Sequence, residues 1–559
     1  MTKHIRKSIV VVGLLAATAF AVACTAKQEG APATLAIINA RVWTGDSAQP
    51  WAEAVAMAGE RIAAVGTSAA INARVQKTTR VIDAHGAMVT PGFIDSHVHF
   101  NDGGFALSSV QLRDAKTREE FVRRIAAFAK TLPKGTWIRN GDWDHTGWGG
   151  ELPTRAWIDS VTPDNPVWIN RLDGHMNLAN SLAIAAAKID RNTKDIDGGA
   201  IVRDAKGELA GIFKDNAMSL IDVVQPPRSD AEWDRALDTA MTYVSARGVT
   251  SVHHMGDFEG LAAIRRAHEA NKLRTRIVAQ VPLARWSALR DSVAARGRGD
   301  VWLHIGGLKA FVDGSLGSHT AAMLAPFSDS PRDSGFFVTP PESLYAWTKA
   351  ADGAGLQVMV HAIGDRAIRT QLDIFERVVN ENGPRDRRFR IEHAQHIAPP
   401  DIPRFAQIGV IASMQPYHAI DDGRWADKVI GAERAKGTYA FRSLLDVGAT
   451  LAFGSDWFVA PPTPLEGIQA AMTRRTLDGK NPNGWVPEQK ITLDEALRAY
   501  TRGAAFAGFQ DKDLGVLRVG MLADVVVLDR DLSKVAPETI ADAHVQFTVV
   551  GGRIVFERK

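Results

Sequence analysis

The sequence predicts an α/β fold: a (β/α)8 barrel, or TIM barrel, with a large insertion after its first strand and a small composite β-sandwich. Two observations support this prediction. Short apolar, β-branched runs alternate with Ala-rich and charged segments of helical character, which is typical of βα units around a parallel sheet. Both chain ends carry further β-like runs, and neither end alone has enough strands to bury a sheet face.

Eight runs are predicted as barrel strands, because each is apolar and is separated from the next by a segment of helical character. They are Phe93 to His99, Val249 to His253, Ile277 to Val281, Leu303 to Val312, Leu356 to His361, Phe389 to His393, Gly409 to Met414 and Thr450 to Ser455. About 150 residues separate the first two runs, which is too many for an ordinary connection. We therefore expect an insertion of about residues 103–240, on the face where barrel loops build active sites.

The two chain ends are predicted to combine into one small domain. Residues 35–90 and 510–559 contain short β-like runs separated by glycine and aspartate turns. Together these runs would form a β-sandwich beside the barrel, which with its insertion would occupy residues 91–509. Residues 24–34 contain lysine, glutamine, glutamate, glycine and proline, and we expect them to act as a tether.

The first residues indicate export. Three basic residues, Lys3, Arg6 and Lys7, precede an apolar run from Ile9 to Ala23 that is too short for a membrane span. Small residues lead into Cys24, as in a bacterial lipobox, and this is the single cysteine, so an intrachain disulfide is impossible. We expect residues 1–23 to be a signal peptide and Cys24 to be lipidated, which gives a cell-envelope lipoprotein facing the periplasm or the outer surface. The alternative is an ordinary cleaved signal with an incidental cysteine.

Composition excludes several classes of function. Apolar residues make up 45% and charged residues 23% of the chain, which is ordinary for a globular protein. The 66 Lys and Arg residues against 63 Asp and Glu residues give a net charge of +3, too small for a nucleic-acid footprint. We expect a small-molecule substrate, no nucleic-acid partner and membrane contact only through the lipid anchor, and a homo-oligomer stays open.

The segment Asp95-Ser96-His97-Val98-His99 provides the first candidate metal ligands. Residues two apart in a strand point to the same face, so both imidazoles can converge on one metal ion. A His-x-His pair is a weak signal by itself. Its position at the C-terminal end of a predicted barrel strand strengthens it, because catalytic groups of such barrels lie there.

Lys309 lies within an otherwise apolar strand, where burial of an ammonium group is costly. It could pair with Asp313 or extend to solvent. Alternatively, desolvation would lower its pKa and leave a neutral amine that reacts with CO2. The resulting carbamate is an anionic oxygen ligand that can bridge two metal ions.

Three further candidates follow apolar runs: His361, His393 and Asp456. Taken singly, each histidine is explained equally well as a hydrogen-bonded core or rim residue. Six potential ligands at the ends of five predicted strands indicate a metal site instead, since this is the face of the barrel that carries chemistry.

The chain at this point resembles the amidohydrolase superfamily, in particular the hydrolases related to N-substituted formamide deformylase and the YtcJ-like proteins. The matching segments are Pro91-Gly92-Phe93-Ile94-Asp95-Ser96-His97-Val98-His99, the Lys309 strand with Asp313-Gly314-Ser315-Leu316-Gly317-Ser318, His361-Ala362-Ile363-Gly364-Asp365, Glu392-His393-Ala394-Gln395 and Gly454-Ser455-Asp456. The resemblance extends over nearly the whole chain from about Leu35. Ordered motifs of this number are specific for the superfamily and not for a substrate.

The resemblance implies a site for two divalent metal ions, which we expect to be zinc. His97, His99 and Asp456 would bind the first ion, His361 and His393 the second, and carboxylated Lys309 would bridge them. The implied reaction is hydrolysis of an amide-type C–N bond outside peptides, such as an N-acyl or N-formyl bond, by a metal-activated bridging hydroxide. Asp456 would accept the proton of the hydroxide and return it to the departing amine.

Further residues are predicted to shape the substrate pocket. The resemblance implies that His175, in the insertion, faces the substrate. His418 or Gln415 would donate a hydrogen bond to the scissile carbonyl. Trp143 and Trp457 would form an aromatic wall, and Asp313 is placed in the pocket with them. The alternative for each of these residues is ordinary packing or loop capping.

Other functions remain open. A deaminase acting on a cyclic amidine, or a lactonase or esterase, would use the same barrel, although deaminases with one metal ion need no bridging Lys309. A lipid-anchored solute-binding protein without turnover would not need a metal cluster. A serine hydrolase is excluded by the lack of a G-x-S-x-G elbow, and no P-loop or dinucleotide fingerprint is found.

Overall fold

The computed structural model describes residues 32–559. The predicted signal peptide, Cys24 and most of the predicted tether lie outside the described residues. Within residues 32–559, no helix is both long enough and apolar enough to cross a membrane.

The centre of the fold is a parallel eight-stranded sheet in which the strands follow one another in chain order. Its strands are Phe93–Val98, Val249–Met255, Arg276–Pro282, Leu303–Phe311, Gln357–Ala362, Arg390–His393, Ile411–Met414 and Leu451–Phe453. Just beyond the last strand, the Asp456 amide donates to the His97 carbonyl at 2.7 Å, and the His99 amide donates to the Trp457 carbonyl at 2.7 Å. These bonds join the first strand to the last, and the predicted (β/α)8 barrel is confirmed.

Helices surround the barrel and bury apolar side chains in a core that they share with its strands. They are Phe100–Ala106, Asp230–Ser245, Phe258–Glu269, Trp286–Arg296, Pro341–Gly353, Asp365–Asn382, Ile402–Ile408, Pro416–Asp422, Ala426–Ile430, Ala432–Ala435, Phe441–Asp446, Pro464–Thr473, Leu493–Arg498 and Ala504–Ala507. Helix Asp230–Ser245 begins with a capping box, in which Ser229 and Glu232 satisfy each other's backbone amides.

The segment between the first two barrel strands has a mixed five-stranded sheet of its own. In spatial order its strands are Gly199–Arg203, Leu209–Asp215, Met176–Ala179, Val167–Asn170 and Ile138–Arg139. Its helices are Arg118–Ala129, Arg155–Ile158, Ser181–Ala186 and Ser219–Asp222. This sheet has a separate apolar core on each side, so the insertion is a folded layer and not a long loop.

Strands from both chain ends share a six-stranded sheet, because Val525–Leu528 pairs antiparallel with Met88–Pro91. The sheet order is Arg553–Glu557, Val545–Val550, Val525–Leu528, Met88–Pro91, Arg41–Trp43 and Trp51–Ala52. A four-stranded sheet packs against it, with the order Arg61–Gly66, Ala54–Ala58, Leu35–Ile38 and Arg80–Asp83, beside helix Ser68–Asn72. Arg276 at the start of the third barrel strand donates two hydrogen bonds to Asp524, at 2.8 and 2.9 Å, and joins this sandwich to the barrel.

Candidate active site

Six side chains predicted as metal ligands come together at the C-terminal ends of the barrel strands. They are His97 and His99 on the first strand end, Lys309 on the fourth, His361 on the fifth, His393 on the sixth and Asp456 after the eighth. All are buried except His99, whose side chain is 23% exposed. They surround a shared space, called here the chamber.

Asp456 lies at the centre of the chamber. Its Oδ1 is 3.4 Å from Nε2 of His97 and 3.4 Å from Nε2 of His99, and its Oδ2 is 3.8 Å from Nδ1 of His393. One potential ligand atom each of His97, His393 and Asp456 lies within 4.8 Å of the others. The rings of His361 and His393 are 4.5 Å apart between centroids, so His361 extends the same cluster.

The backbone turns two of these side chains into the chamber. His393 has φ 71° and Asp456 has φ 59°, both in the left-handed region that residues other than glycine rarely adopt. Such a conformation costs about 1–3 kcal/mol per residue and persists only where the surrounding structure enforces it. Both residues lie at strand ends, beside the other potential metal ligands, so the strained backbone occurs where the chemically active side chains meet.

Three buried atoms in the chamber lack a hydrogen-bond partner among the described residues: His97 Nε2, Lys309 Nζ and Asp456 Oδ1. Buried polar atoms are nearly always paired, so an unpaired cluster requires an explanation. Imidazole nitrogens and carboxylate oxygens are ligands that zinc and similar divalent ions bind. The residues present therefore fit a metal centre.

Glu392 holds His97 in position, a role that the sequence interpretation missed. Its Oε2 is 2.5 Å from Nδ1 of His97, and its Oε1 accepts from Nε of Arg390 at 2.7 Å. A carboxylate on one ring nitrogen fixes the imidazole so that the other nitrogen, here Nε2, faces the chamber as a neutral ligand. The available sequence signal is the spacing of Arg390 and Glu392, which puts two charges on one face of a buried strand.

Two other histidines are oriented in the same way. His393 Nδ1 is 2.9 Å from the amide oxygen of Gln415, and His361 Nε2 is 3.0 Å from the carbonyl oxygen of Gly314. Each ring therefore donates through one nitrogen and keeps the other free. Gln415, predicted as a substrate-pocket residue, is fully buried and positions His393, while its amide Nε2 has no partner among the described residues.

Burial and neighbouring charges act together on the titratable groups of the chamber. Burial lowers the pKa of Lys309 to about 8, although the charges of Glu392 and Asp456 oppose the shift. Burial also tends to raise the pKa of Asp456, but the adjacent imidazoles of His97 and His99 hold that pKa well below its usual range. A carboxylate and an amine close to neutrality thus lie in one desolvated space.

A narrow cavity connects the chamber to solvent. Of the predicted residues, its lining includes His175, His361, His393, His418 and Asp456. The wall also carries charged residues that the sequence interpretation did not single out, namely Asp144, Arg171, Asp173, Asp421, Asp422 and Arg424. The wall of the pocket is therefore mixed, with these charged groups beside apolar side chains such as Leu316 and Trp425. The charged residues come from the insertion and from the segment after the seventh strand, and the path of the chain brings them together.

His175 and His418 face this cavity from opposite elements. Nδ1 of His175 lies 2.6 Å from Oδ1 of Asp215. The ring centroids of His175 and His361 are 4.9 Å apart. Burial tends to lower the pKa of His175, but its hydrogen bond and charge interaction with Asp215 raise the pKa above the usual value. His418 stacks over His393 with centroids 6.4 Å apart, and its buried Nε2 has no partner among the described residues.

Three other predicted pocket residues do not line the cavity. Trp143 is fully buried in the core of the insertion and donates to the Ile169 carbonyl at 3.0 Å. Trp457 stacks on Tyr243 in the main core, with ring centroids 5.1 Å apart. Asp313 accepts backbone hydrogen bonds from Ala322, Ile363 and Gly364 at 2.8–3.0 Å, so it fixes loops around the chamber. The prediction that these residues contact substrate is corrected accordingly.

Comparison with known proteins decides the family. The sequence profile of the amidohydrolase family matches residues 80–556, which include the whole barrel and all six chamber residues. The chain belongs to the amidohydrolase family. The resemblance drawn from the sequence motifs is thereby confirmed, and the protein is a hydrolase of a metal-dependent family.

Several amidohydrolase relatives align over nearly their whole length. Protein LONG AFTER FAR-RED 3 of Arabidopsis thaliana is 40% identical over 94% of this chain and 92% of its own length. YtcJ of Bacillus subtilis is 31% identical over 86% of this chain and 91% of its own length. N-substituted formamide deformylase of Arthrobacter pascens is 29% identical over 94% of this chain and 98% of its own length.

A solved structure agrees with this amidohydrolase assignment. An uncharacterized metal-dependent hydrolase from Pyrococcus horikoshii OT3 superposes with a TM-score of 0.73 at 28% identity. The superposition covers 93% of this chain and 100% of that chain. The similarity therefore includes the insertion and the sandwich as well as the barrel.

Proposed function

We propose that this amidohydrolase hydrolyses an amide-type C–N bond of a small molecule, such as an N-formyl or N-acyl bond, with two divalent metal ions in the chamber. His97, His99 and Asp456 would hold the first ion. His361 and His393 would hold the second, and Lys309 would lie between the two ions as a carbamate.

The observation that supports this proposal most strongly is the environment of Lys309. Its amine is buried, its Nζ has no hydrogen-bond partner among the described residues, and burial lowers its pKa to about 8. An amine that is partly neutral at physiological pH can attack CO2, form an N–C bond and release one proton. The carbamate is anionic, and it would satisfy both the unpaired nitrogen and the charge requirement of a chamber with four histidines.

Two divalent ions, of which zinc suits a histidine-rich site best, would polarise the substrate carbonyl and supply a water of lowered pKa. The protein's own groups perform the proton transfer. Asp456 Oδ1, buried and unpaired, would accept a proton from the attacking water and deliver it to the departing nitrogen. The net reaction consumes one water and yields a carboxylic acid, or formic acid, and an amine.

His175 is positioned to stabilise the oxyanion. Burial tends to lower the pKa of His175, but the hydrogen bond and charge of Asp215 raise it above its usual value, which favours the doubly protonated ring whose Nε2 would donate a hydrogen bond to the carbonyl oxygen as negative charge develops. His418 lines the cavity beside His393 with a free ring nitrogen, and it would bind a second polar group of the substrate.

One relative supports an amide-type bond as the bond that is cleaved. N-substituted formamide deformylase aligns over 98% of its length, and its name specifies an N-substituted formamide. The wall of the cavity combines charged groups with apolar side chains such as Leu316 and Trp425, which suits an amide with both hydrogen-bonding and apolar substituents.

The test is a matched substrate panel on metal-loaded protein: N-aryl formamides, N-aryl acetamides, the corresponding aryl esters, a lactone and a cyclic amidine. We expect turnover of at least one amide, loss of turnover in Lys309→Met, and unchanged turnover in Lys436→Met, whose side chain is 68% exposed. Turnover of the esters or the amidine alone would replace the proposal with esterase or deaminase activity. Stoichiometric binding of a ligand without turnover would indicate a binding protein.

We further propose that the enzyme is exported and anchored to the cell envelope through Cys24. The supporting observation is the basic and apolar start of the sequence, which ends in small residues before the single cysteine. Mass spectrometry of the mature N-terminus should find a diacylglyceryl group on Cys24. A soluble product with a free thiol, or retention of residues 1–23, would contradict the proposal.

A further inference from the structure

A second groove lies away from the metal chamber, between the insertion and helix Asp230–Ser245. Its volume is about 1420 Å³, and it shares no lining residue with the central cavity. Three arginines line it: Arg139, Arg228 and Arg235. Apolar surface lies beside them, contributed by Phe105, Phe128, Leu132, Trp137, Pro226 and Pro227.

Two of these arginines use few of their hydrogen-bond donors. Arg139 donates once, to the Pro226 carbonyl at 2.7 Å, and its buried Nε has no partner among the described residues. Arg228 donates once, to the side-chain oxygen of Asn140 at 3.3 Å, and its guanidinium lies over the ring of Phe105 at 3.6 Å. A guanidinium carries five N–H donors, so most of those on both groups have no partner among the described residues.

Arg139 and Arg228 form no close ion pair among residues 32–559, although the charge of Glu232 acts on both of them and that of Asp102 acts on Arg228 from a greater distance. Within residues 32–559, neither Arg139 nor Arg228 has a carboxylate oxygen within 4.0 Å. Glu232 is the one acidic residue of the lining, and its Oε2 accepts from the backbone amide and the hydroxyl of Ser229 at 2.7 Å each. Burial lowers the pKa of Arg228 to about 10, and the like charge of Arg139 adds to the shift.

We propose that this groove is a binding site for an anion attached to an apolar group, such as an aromatic phosphate or carboxylate. The free guanidinium donors match the paired oxygens of such an anion, and the aromatic and proline side chains match its apolar part. Arg139 and Arg228 are partly buried like charges whose guanidinium groups contact no carboxylate directly, and an anion between them would provide that contact. The site is independent of the proposed hydrolytic reaction.

Isothermal titration of the metal-loaded protein with three probes tests the proposal: phenyl phosphate, inorganic phosphate and benzyl alcohol. Phenyl phosphate should bind most tightly, phosphate more weakly and benzyl alcohol weakest. Arg139→Gln and Arg228→Gln should each weaken phenyl phosphate binding by about tenfold or more, the loss expected for hydrogen bonds to a charged group. Arg74→Gln, an exposed arginine of the sandwich, is the control and should bind as the wild type does.

A phosphate can also bind the metal chamber, so only the binding that Arg139→Gln and Arg228→Gln remove supports the groove. Equal phenyl phosphate affinity in the wild type and both variants would overturn the proposal, as would the absence of binding to the wild type. If a variant does not fold, phenyl phosphate is titrated into metal-free wild-type protein, whose chamber holds no ion for the phosphate to bind, at rising ionic strength. Affinity should fall as ionic strength rises, and affinity that does not change with salt would contradict an arginine-bound anion.

Discussion

Replacement of Glu392 by glutamine is the change that tests most directly how the chamber is held together. The Glu392 carboxylate is fully buried between Nδ1 of His97 at 2.5 Å and the guanidinium of Arg390 at 2.7 and 3.1 Å. Its pKa is held at about 2, because the attraction of Arg390 and His97 outweighs the effect of burial. Glutamine keeps the size of the side chain, removes the charge and presents an N–H group to donors.

The substitution is expected to affect folding stability and metal affinity. Removal of one partner of a buried ion pair leaves the other charge uncompensated, here Arg390, and costs about 3–5 kcal/mol of folding stability. His97 loses the carboxylate that fixes its ring, and loss of such a contact lowers metal affinity by about 10- to 100-fold. Glu392→Gln should therefore lower both the free energy of unfolding and the affinity for metal.

Denaturant unfolding of the metal-free protein measures the first effect, and competition with a chelator measures the second. Glu376→Gln is the matched control, because Glu376 is 56% exposed and pairs with Arg404 at the surface at 2.9 Å. That control should change stability by less than about 1 kcal/mol and leave metal affinity unchanged. Wild-type stability together with wild-type metal affinity in Glu392→Gln would refute the positioning role of Glu392.

Three further changes have defined outcomes. Lys309→Ala should lower both metal content and turnover by about 100-fold or more, because its carbamate would link the ions; two bound metals with full activity would contradict this. Asp456→Asn should retain more metal than Lys309→Ala and lose turnover, since proton transfer depends on the carboxylate; an active variant would require another base. Burial raises the pKa of Asp422 from 3.8 to about 7. Between pH 3.8 and about 7 the folded protein therefore holds a proton on Asp422 that the unfolded chain has released. The free energy of unfolding falls as pH rises through this range. Asp422→Asn should be stabilised relative to the wild type above pH 7 and not below pH 3.8, as measured by denaturant unfolding.

Much of the barrel was predictable from the sequence, because the apolar runs that mark its strands are also the runs that the potential ligands follow. Each buried parallel strand is a short apolar run, and the potential ligands His361, His393 and Asp456 stand directly after such runs. A parallel barrel brings all strand ends to one face, so order along the chain was enough to predict that these side chains would meet.

The pocket was predicted poorly, because side-chain direction depends on tertiary structure. Trp143 and Trp457 suggested an aromatic wall by composition, yet both rings are buried in hydrophobic cores. The role of Gln415 depends on how the sixth and seventh strands lie side by side, which spacing along the chain does not reveal. Arg171 and Asp173 form an ion pair at 2.6 Å in the cavity wall, and only the folded insertion places that pair beside the chamber.

The central claim is that two metal ions in the chamber are required for hydrolysis of an amide-type bond. The most direct test is metal stoichiometry by plasma mass spectrometry, combined with turnover of N-formyl and N-acetyl arylamides before and after chelation. About two metal ions per chain, with turnover that chelation abolishes and metal restores, is the predicted result. Correctly folded protein that stays metal-free and inactive after reconstitution, or that turns over at the same rate without metal, would contradict the account.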